Sequence, residues 1–446
     1  MLLSQSDAKA ICDKLLHWCS ADDATVSVDS EDYSHLRFAA NGFTTSGRRE
    51  TVSASVTVWL NQQRGSASAA DLSDASLKAA VDQAHAIAKL SPVDKEYLPS
   101  LGPQTYKPTA GFVDRTVVPS PDARAKAVQH IIQDCEKHHV VGAGFHHSSG
   151  GASAFATKNG AFNYDRSSLA SLSVTARANE GQGSGFFLRN HFDIAKLDTA
   201  RIGREAIQKA LNSRQPRELD PGVYPAILEP QAAGDILQLS FDARSADEGR
   251  SPFSAPGGGT KLGQSLFDER LDIFSDPWHP DLPGSPAAQD GLPAQRVYFV
   301  RKGVLENLHY SRYWAKHQGK QPTPGPVNTI IQPAGKTVSL EEMIQSMDRG
   351  LLISRFWYIR MVDPRTALLT GLTRDGLWYI EKGKIQYPVK NFRFNQSVLD
   401  LLAPGNIELL GPAERISASE TQGNSSALIP ALKVKEFHLS SKSDAV

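Results

Sequence analysis

Apolar residues recur at three- and four-residue spacing through Ala8, Ile11, Cys12, Leu15, Leu16 and Cys19, and again through Ala125, Val128, Ile131, Ile132 and Cys135. That spacing lays one apolar face along a helix, and Pro121-Asp122 supplies a start for the second one. After the first helix the period changes to two. Alternating segments at Thr25 to Val28 and Leu36 to Ala40 lead into Asn41-Gly42, a pair that tolerates positive φ and predicts a hairpin. The return strand is expected over Thr51 to Leu60, with Val52, Val56 and Val58 on one face. Helical spacing closes each stretch, at Leu77 to Leu90 and at Ile202 to Leu211.

This first half is written twice. Asn41-Gly42, Val56-Thr57-Val58 and Gly65-Ser66 return as Asn159-Gly160, Val174-Thr175-Ala176 and Gly183-Ser184, all at one constant offset. Several matches at a single offset imply a repeated structural unit. From about Pro221 the texture becomes short strands punctuated by Gly, Pro and Asp: Tyr224 to Leu228, Arg296 to Arg301, Thr329 to Ile331, Ile353 to Met361, Leu377 to Glu381, Lys384 to Tyr387 and Leu428 to Leu439. Lys382-Gly383-Lys384 reads as a tight turn between two of them. Helices are expected at Gln231 to Leu239, Leu340 to Met347 and Gln396 to Leu402, the second opened by a Ser339 to Glu342 capping box. The predicted fold class is α+β, with duplicated α/β units over 1–110 and 111–218 and a mainly antiparallel β domain over 219–446.

The chain has 446 residues, with 48 Lys and Arg balanced by 48 Asp and Glu. That length supports several cored domains, and the balance gives no electrostatic footprint for nucleic acid. The first residues lack the apolar core of a signal peptide, and no stretch reaches the length of a membrane span, so a soluble, cytoplasmic protein is expected. Cys12 and Cys19 share a helical face and Cys135 sits in the equivalent helix, so all three read as small core residues of a reducing compartment. In that compartment Asn395-Gln396-Ser397 and Asn424-Ser425-Ser426 carry no glycan.

Candidate chemistry is thin. His138, His139, His146 and His147 form a histidine cluster, but the first two end a helix, and the second two would point to opposite faces of a strand. Gly335-Lys336-Thr337 resembles the end of a phosphate loop, yet Ile330 stands where the leading Gly belongs and Ser339 already caps the next helix. Gly257-Gly258-Gly259 lacks dinucleotide spacing and reads as a loop. No Gly-x-Ser-x-Gly elbow occurs.

Phe38-Ala39-Ala40-Asn41-Gly42, Thr44-Thr45-Ser46-Gly47, Arg64-Gly65-Ser66-Ala67-Ser68, Asp71-Leu72-Ser73 and Ala86-Ile87-Ala88-Lys89-Leu90-Ser91-Pro92 resemble the amino-terminal region of the TldD/PmbA family. Pro221-Gly222-Val223-Tyr224 leading to Leu228-Glu229-Pro230, Lys302-Gly303-Val304-Leu305, Gly371 ahead of the Gly376 to Gly383 stretch, and Pro430 to Phe437 extend the resemblance over nearly the whole chain.

The resemblance implies zinc metalloprotease chemistry in catalytic members, on a His-Glu-x-x-x-His helix just after the stretch corresponding to Ala226 to Pro230, with a later Cys ligand. Here Gln231 to Arg250 contains no His or Cys, no His-Glu pair occurs anywhere, and no Cys follows Cys135. The resemblance therefore points to the PmbA (TldE) branch: a subunit with no catalytic ligand or cofactor of its own, zinc being expected only in a TldD-like partner. Implied partners are that catalytic subunit or a second copy of this chain, and a peptide substrate, for maturation or general turnover, held by strand addition. Asp242, Arg244, Asp247, Glu248 and Arg250 are nominated as polar contacts facing the peptide chamber, against the alternative of a solvated helix face. Ser354 to Met361 is unusually aromatic and basic; strict alternation puts Arg355, Trp357 and Ile359 on one side and Phe356, Tyr358 and Arg360 on the other, making Arg355 and Trp357 candidate partner or peptide contacts. Two alternatives stay open: a homodimeric peptide-binding scaffold, and a stand-alone hydrolase using Asp247 and Glu248, although neighbouring carboxylates on a helix point about 100° apart.

Overall fold

In the computed structural model, residues 2–178, 183–237, 239–417 and 426–443 are described. Both N-terminal repeats form. The first comprises α1 (Gln5–Trp18), β1 (Asp23–Ala39), β2 (Gly42–Leu60), β3 (Gln63–Ala69) and α2 (Asp74–Leu90). The second, after the short α3 (Asp114–Val117), comprises α4 (Pro121–Lys137), β4 (Val140–Thr157), β5 (Phe162–Ala178), β6 (Ser184–His191) and α5 (Thr199–Asn212). Each long helix opens on a side-chain cap: Ser4, Ser73, Ser120 and Asp198 accept from the backbone N–H three residues on, satisfying one otherwise orphaned donor apiece.

The repeats share one antiparallel sheet in the order β3-β2-β1-β4-β5-β6. Helices α1 and α2 bury Leu15, Leu77 and Val81 against Val26, Val56 and Val58, while α4 and α5 bury Val128, Ile131 and Ile202 against Leu172 and Val174. The cores interlock across the β1–β4 seam: Leu36 and Phe38 of β1 belong to the second core, Ala154 and Ala156 of β4 to the first. Phe38 fills the space above Gly144, where an added Cβ would lie 2.4 Å from its ring.

Three local expectations are corrected. β1 is one continuous strand through its polar middle, because it pairs on both sides and its buried polar groups are met, Asp32 by Arg48 and Ser34 by Arg124. The β1–β2 turn residues are Ala40 and Asn41, both at positive φ, one position earlier than expected; Asn41 is held there by bonds to Gly142 N and Val140 O of β4. The partner of Gly65 is Gly185, two residues past the sequence match. A Cβ on Gly65 would strike Ala84 O and Ala88 N of α2, and one on Gly185 would strike Ala206 O and Ala210 N of α5, because β5 ends at Ala178 and β6 begins only at Ser184.

The C-terminal half contains β7 (Gly222–Leu228), α6 (Pro230–Ile236), α7 (Ala243–Asp247), β8 (Leu271–Ser275), β9 (Val297–Arg301), β10 (Val304–Leu305), α8 (Arg312–His317), β11 (Thr329–Pro333), α9 (Leu340–Gln345), β12 (Arg349–Asp363), β13 (Leu368–Glu381), β14 (Lys384–Pro388), β15 (Phe392–Ser397), α10 (Val398–Leu402), β16 (Ile407–Ser417) and β17 (Ser426–Lys442). Antiparallel pairs predominate, with parallel pairing at β7–β12 and β11–β17. Because β7 also pairs β17, the strands β17-β15-β13-β12-β7 close on themselves, leaving no edge within that ring. The Ser339 capping box is present. Gln396 and Ser397 finish β15, with Ser397 capping α10, so that helix starts later than expected; α6 ends at Ile236, and Gln238, Asn424 and Ser425 lie outside the described residues. Among the described residues no helix is long and apolar enough to cross a membrane.

Candidate functional site

Helix α6 follows β7 directly, where the resemblance would put a metal-binding motif. Its polar side chains are tied down. Gln231 Nε2 donates to Asp235 Oδ1 and Ser417 O, both at 2.9 Å, and Asp235 Oδ2 accepts from Phe356 N at 3.1 Å. Just before the helix, Glu229 accepts from Lys209 of α5 at 2.5 Å, and the same ammonium donates to Ser354 Oγ at 2.6 Å. All five side chains, Gln231, Asp235, Glu229, Lys209 and Ser354, are buried, and Lys209 pins the second repeat to the ring. A zinc ion does not fit these residues: the α6 face offers one amide and one carboxylate already bonded to each other, where zinc needs three or four convergent His, Cys or carboxylate donors. Among the described residues no group of three His, Cys, Asp or Glu side chains could hold a metal.

The nominated polar residues around α7 are likewise occupied. Asp242 caps the helix, accepting from Ser245 N at 2.7 Å. Arg244 bridges Glu96 of the first repeat at 2.7 Å and Glu248 at 3.0 Å, and Arg250 also pairs with Glu248. Asp247 Oδ2 accepts the Trp314 indole N–H at 2.6 Å. Asp247 and Glu248 thus have separate partners. Asp242 additionally lines an apolar cavity of about 420 Å³ with Phe241, Phe274, Phe299 and His309.

Arg355 and Trp357 come together in a different place. They line a cleft of about 440 Å³ between the open face of the N-terminal sheet and the β12–β13 hairpin, with Arg37, Phe145, Arg177, Phe186, Arg374 and Asp375. Ile359 does not join them. Tyr358 takes a left-handed φ of 56°, the β12–β13 register shifts between Trp357 and Arg360, and the bulge turns Ile359 into the core beside Phe356. A second register shift lies between Ile353 and Arg355, opposite Asp375 at φ 53°. Arg355 Nη1 meets Asp375 Oδ2 at 3.0 Å, Ser184 donates to Asp375 Oδ1 at 2.5 Å, and the Arg355 guanidinium lies 3.8 Å from the Phe186 ring centroid and 4.9 Å from that of Trp357. Arg37, Arg177, Arg374 and Asp375 escape sequence reasoning because they sit far apart in the chain. The one local signal is Asp375-Gly376, a turn-forming pair inside a strand.

The histidines divide as their alternation predicts. His138 caps α4 at its C-terminus. His146 pairs with Leu36 and His147 with His35, on opposite faces of β4. Burial pushes both down to about 4. Burial likewise pushes the Cys12 thiol up to about 12 and those of Cys19 and Cys135 up to about 11, which leaves them inert.

Comparison with known proteins gives one consistent answer. Family models described as PmbA/TldA metallopeptidase domain 1, central domain and C-terminal domain match residues 24–88, 118–214 and 221–441. The protein named Metalloprotease PmbA in Escherichia coli O157:H7 is 24% identical over 402 residues, 85% of this chain and 84% of its own length; a Haemophilus influenzae homologue is 24% identical over 401 residues, with the same coverage. The crystal structure of TldE from Thermococcus kodakarensis shares the fold at a TM-score of 0.84 and 18% identity, over 96% of this chain and 99% of that one. With all three domains in order, the chain belongs to the PmbA/TldD metallopeptidase family.

Proposed function

We propose that this chain is the non-catalytic, TldE-like subunit of a two-subunit zinc peptidase that cleaves unfolded or modified peptides, contributing dimer contacts and peptide binding. The observation that carries this reading is α6. Where the family's chemistry would require ligands, Gln231 and Asp235 are buried and bonded to each other, to Ser417 O and to Phe356 N. A helix so occupied serves to hold the ring against its surroundings, so metal and water activation would have to come from a partner. Peptide capture through backbone pairing fits a β-rich subunit, because strand addition tolerates many side chains.

The test is turnover of a fluorogenic peptide by the purified chain, by a zinc-loaded TldD-like partner, and by their mixture. Chelator-sensitive turnover that the mixture shows well above the partner alone, with none from this chain, is expected. Chelator-resistant turnover by this chain alone would overturn the proposal.

A further inference from the structure

Among the described residues, the cleft between the repeats and the ring carries four guanidiniums, Arg37 from β1, Arg177 from β5, Arg355 from β12 and Arg374 from β13, against one carboxylate, Asp375. In a chain with no net charge that is a local concentration of positive charge. Asp375 is committed to Arg355: its carboxylate is buried, with one oxygen held by Ser184 and the other by Arg355, so it does not offset the exposed Arg37 and Arg177. Arg374 Nε lies a further 3.8 Å from that second oxygen. Arg37 and Arg177 extend from the sheet as exposed side chains and enter the same space from the opposite wall. The aromatic rings of Phe145, Phe186 and Trp357 flank it, and those of Phe186 and Trp357 face the Arg355 guanidinium. Positive φ at Tyr358 and Asp375, with two of the hairpin's three register shifts, those at Ile353/Arg355 and Trp357/Arg360, set Arg355 and Trp357 on the cleft wall. Such strain clusters where a site must hold a set geometry.

We infer that this cleft is a carboxylate-binding subsite, which seats an acidic group of a bound peptide on Arg37 and Arg177 of one wall, facing the wall that Arg374 lines, with Arg355 locked behind by Asp375. Arginine forks match a carboxylate in two parallel hydrogen bonds. A volume of about 440 Å³ admits the end or one side chain of a peptide, well within the size of ordinary ligand pockets. The carboxylate has two sources, the peptide's C-terminus or an Asp or Glu side chain. The inference rests on the reading of this chain as a peptide-handling subunit and names the peptide class it selects.

Isothermal titration of the full chain with three N-acetylated, alanine-rich octapeptides tests it: one C-terminally amidated and neutral, one identical with a free C-terminus, and one amidated with two internal glutamates. At least one acidic peptide is expected to bind tenfold or more tighter than the neutral one, and whichever does so identifies the source. That gain should shrink several-fold between 20 and 200 mM salt, on the order expected for exposed guanidiniums, and vanish in R37Q/R177Q. Equal affinity for all three peptides, no binding of either acidic one, or a gain that survives both salt and R37Q/R177Q overturns the subsite. If the double variant misfolds, as a shifted thermal midpoint would reveal, the salt dependence of the unaltered chain decides alone. Partner-dependent turnover of the neutral peptide is read separately, so the subunit proposal can stand when the subsite falls, and the reverse.

Discussion

The network around Glu229 at the head of α6 and the cleft both lie where the repeats meet the ring, yet their electrostatics are opposite. Around α6 the charges pair off: Lys209 with Glu229, Asp235 with Gln231 and a backbone N–H. In the cleft, among the described residues, four guanidiniums face one carboxylate. Buried charges that meet a partner hold a structure together, whereas exposed charge such as that of Arg37 and Arg177 adds little to stability and is available to a ligand. On the proposed reading, the segment at the head of α6 is a structural joint, and the recognition chemistry we infer lies in the cleft.

That contrast is sharpest in stability measurements. Lys209→Ala strands the buried Glu229 carboxylate and should cost roughly 3–5 kcal/mol, read as the urea midpoint; a loss below about 1 kcal/mol would erase the distinction between the two regions. Next comes His147, which stacks on Tyr33 at 5.6 Å and lies 5.5 Å from Phe145 of the cleft wall. Its pKa is depressed from 6.5 to about 4, so the folded state disfavours the proton. The stability this gives is present above pH 6.5 and lost as pH falls toward 4, roughly 3 kcal/mol by linkage. His147→Phe should flatten that part of the urea midpoint's pH profile, and an unchanged slope would contradict the assignment. Asp235→Ala should cost about 2 kcal/mol by orphaning the Phe356 N–H, measured the same way. R37Q/R177Q should move stability by no more than about 0.5 kcal/mol, since both side chains are exposed; a larger loss would make the cleft a second joint.

Much of this organisation was written in the chain. Helical spacing at Cys12 and Leu15, or at Val128 and Ile132, locates helices that pack as that face requires, and the repeated Val56 and Val174 motifs locate equivalent strands. What escaped depends on distant partners. The polar run from Asp29 to Ser34 is strand only because Arg48, Arg124 and two neighbouring strands satisfy it. Closure of β7 on β17 joins residues at opposite ends of the domain. The bulge at Tyr358 breaks the alternation that grouped Ile359 with Trp357. The nominated acids Asp242, Asp247 and Glu248 were visible as charges, but their commitments to Ser245, Trp314, Arg244 and Arg250 were not.

Native mass spectrometry of the tagged protein, isolated gently from its own cells, tests the central claim most directly. The account predicts a complex with a similar-sized subunit that carries the zinc, this chain itself remaining metal-free. Zinc bound stoichiometrically to this chain, or a homodimer as its only assembly, would contradict it.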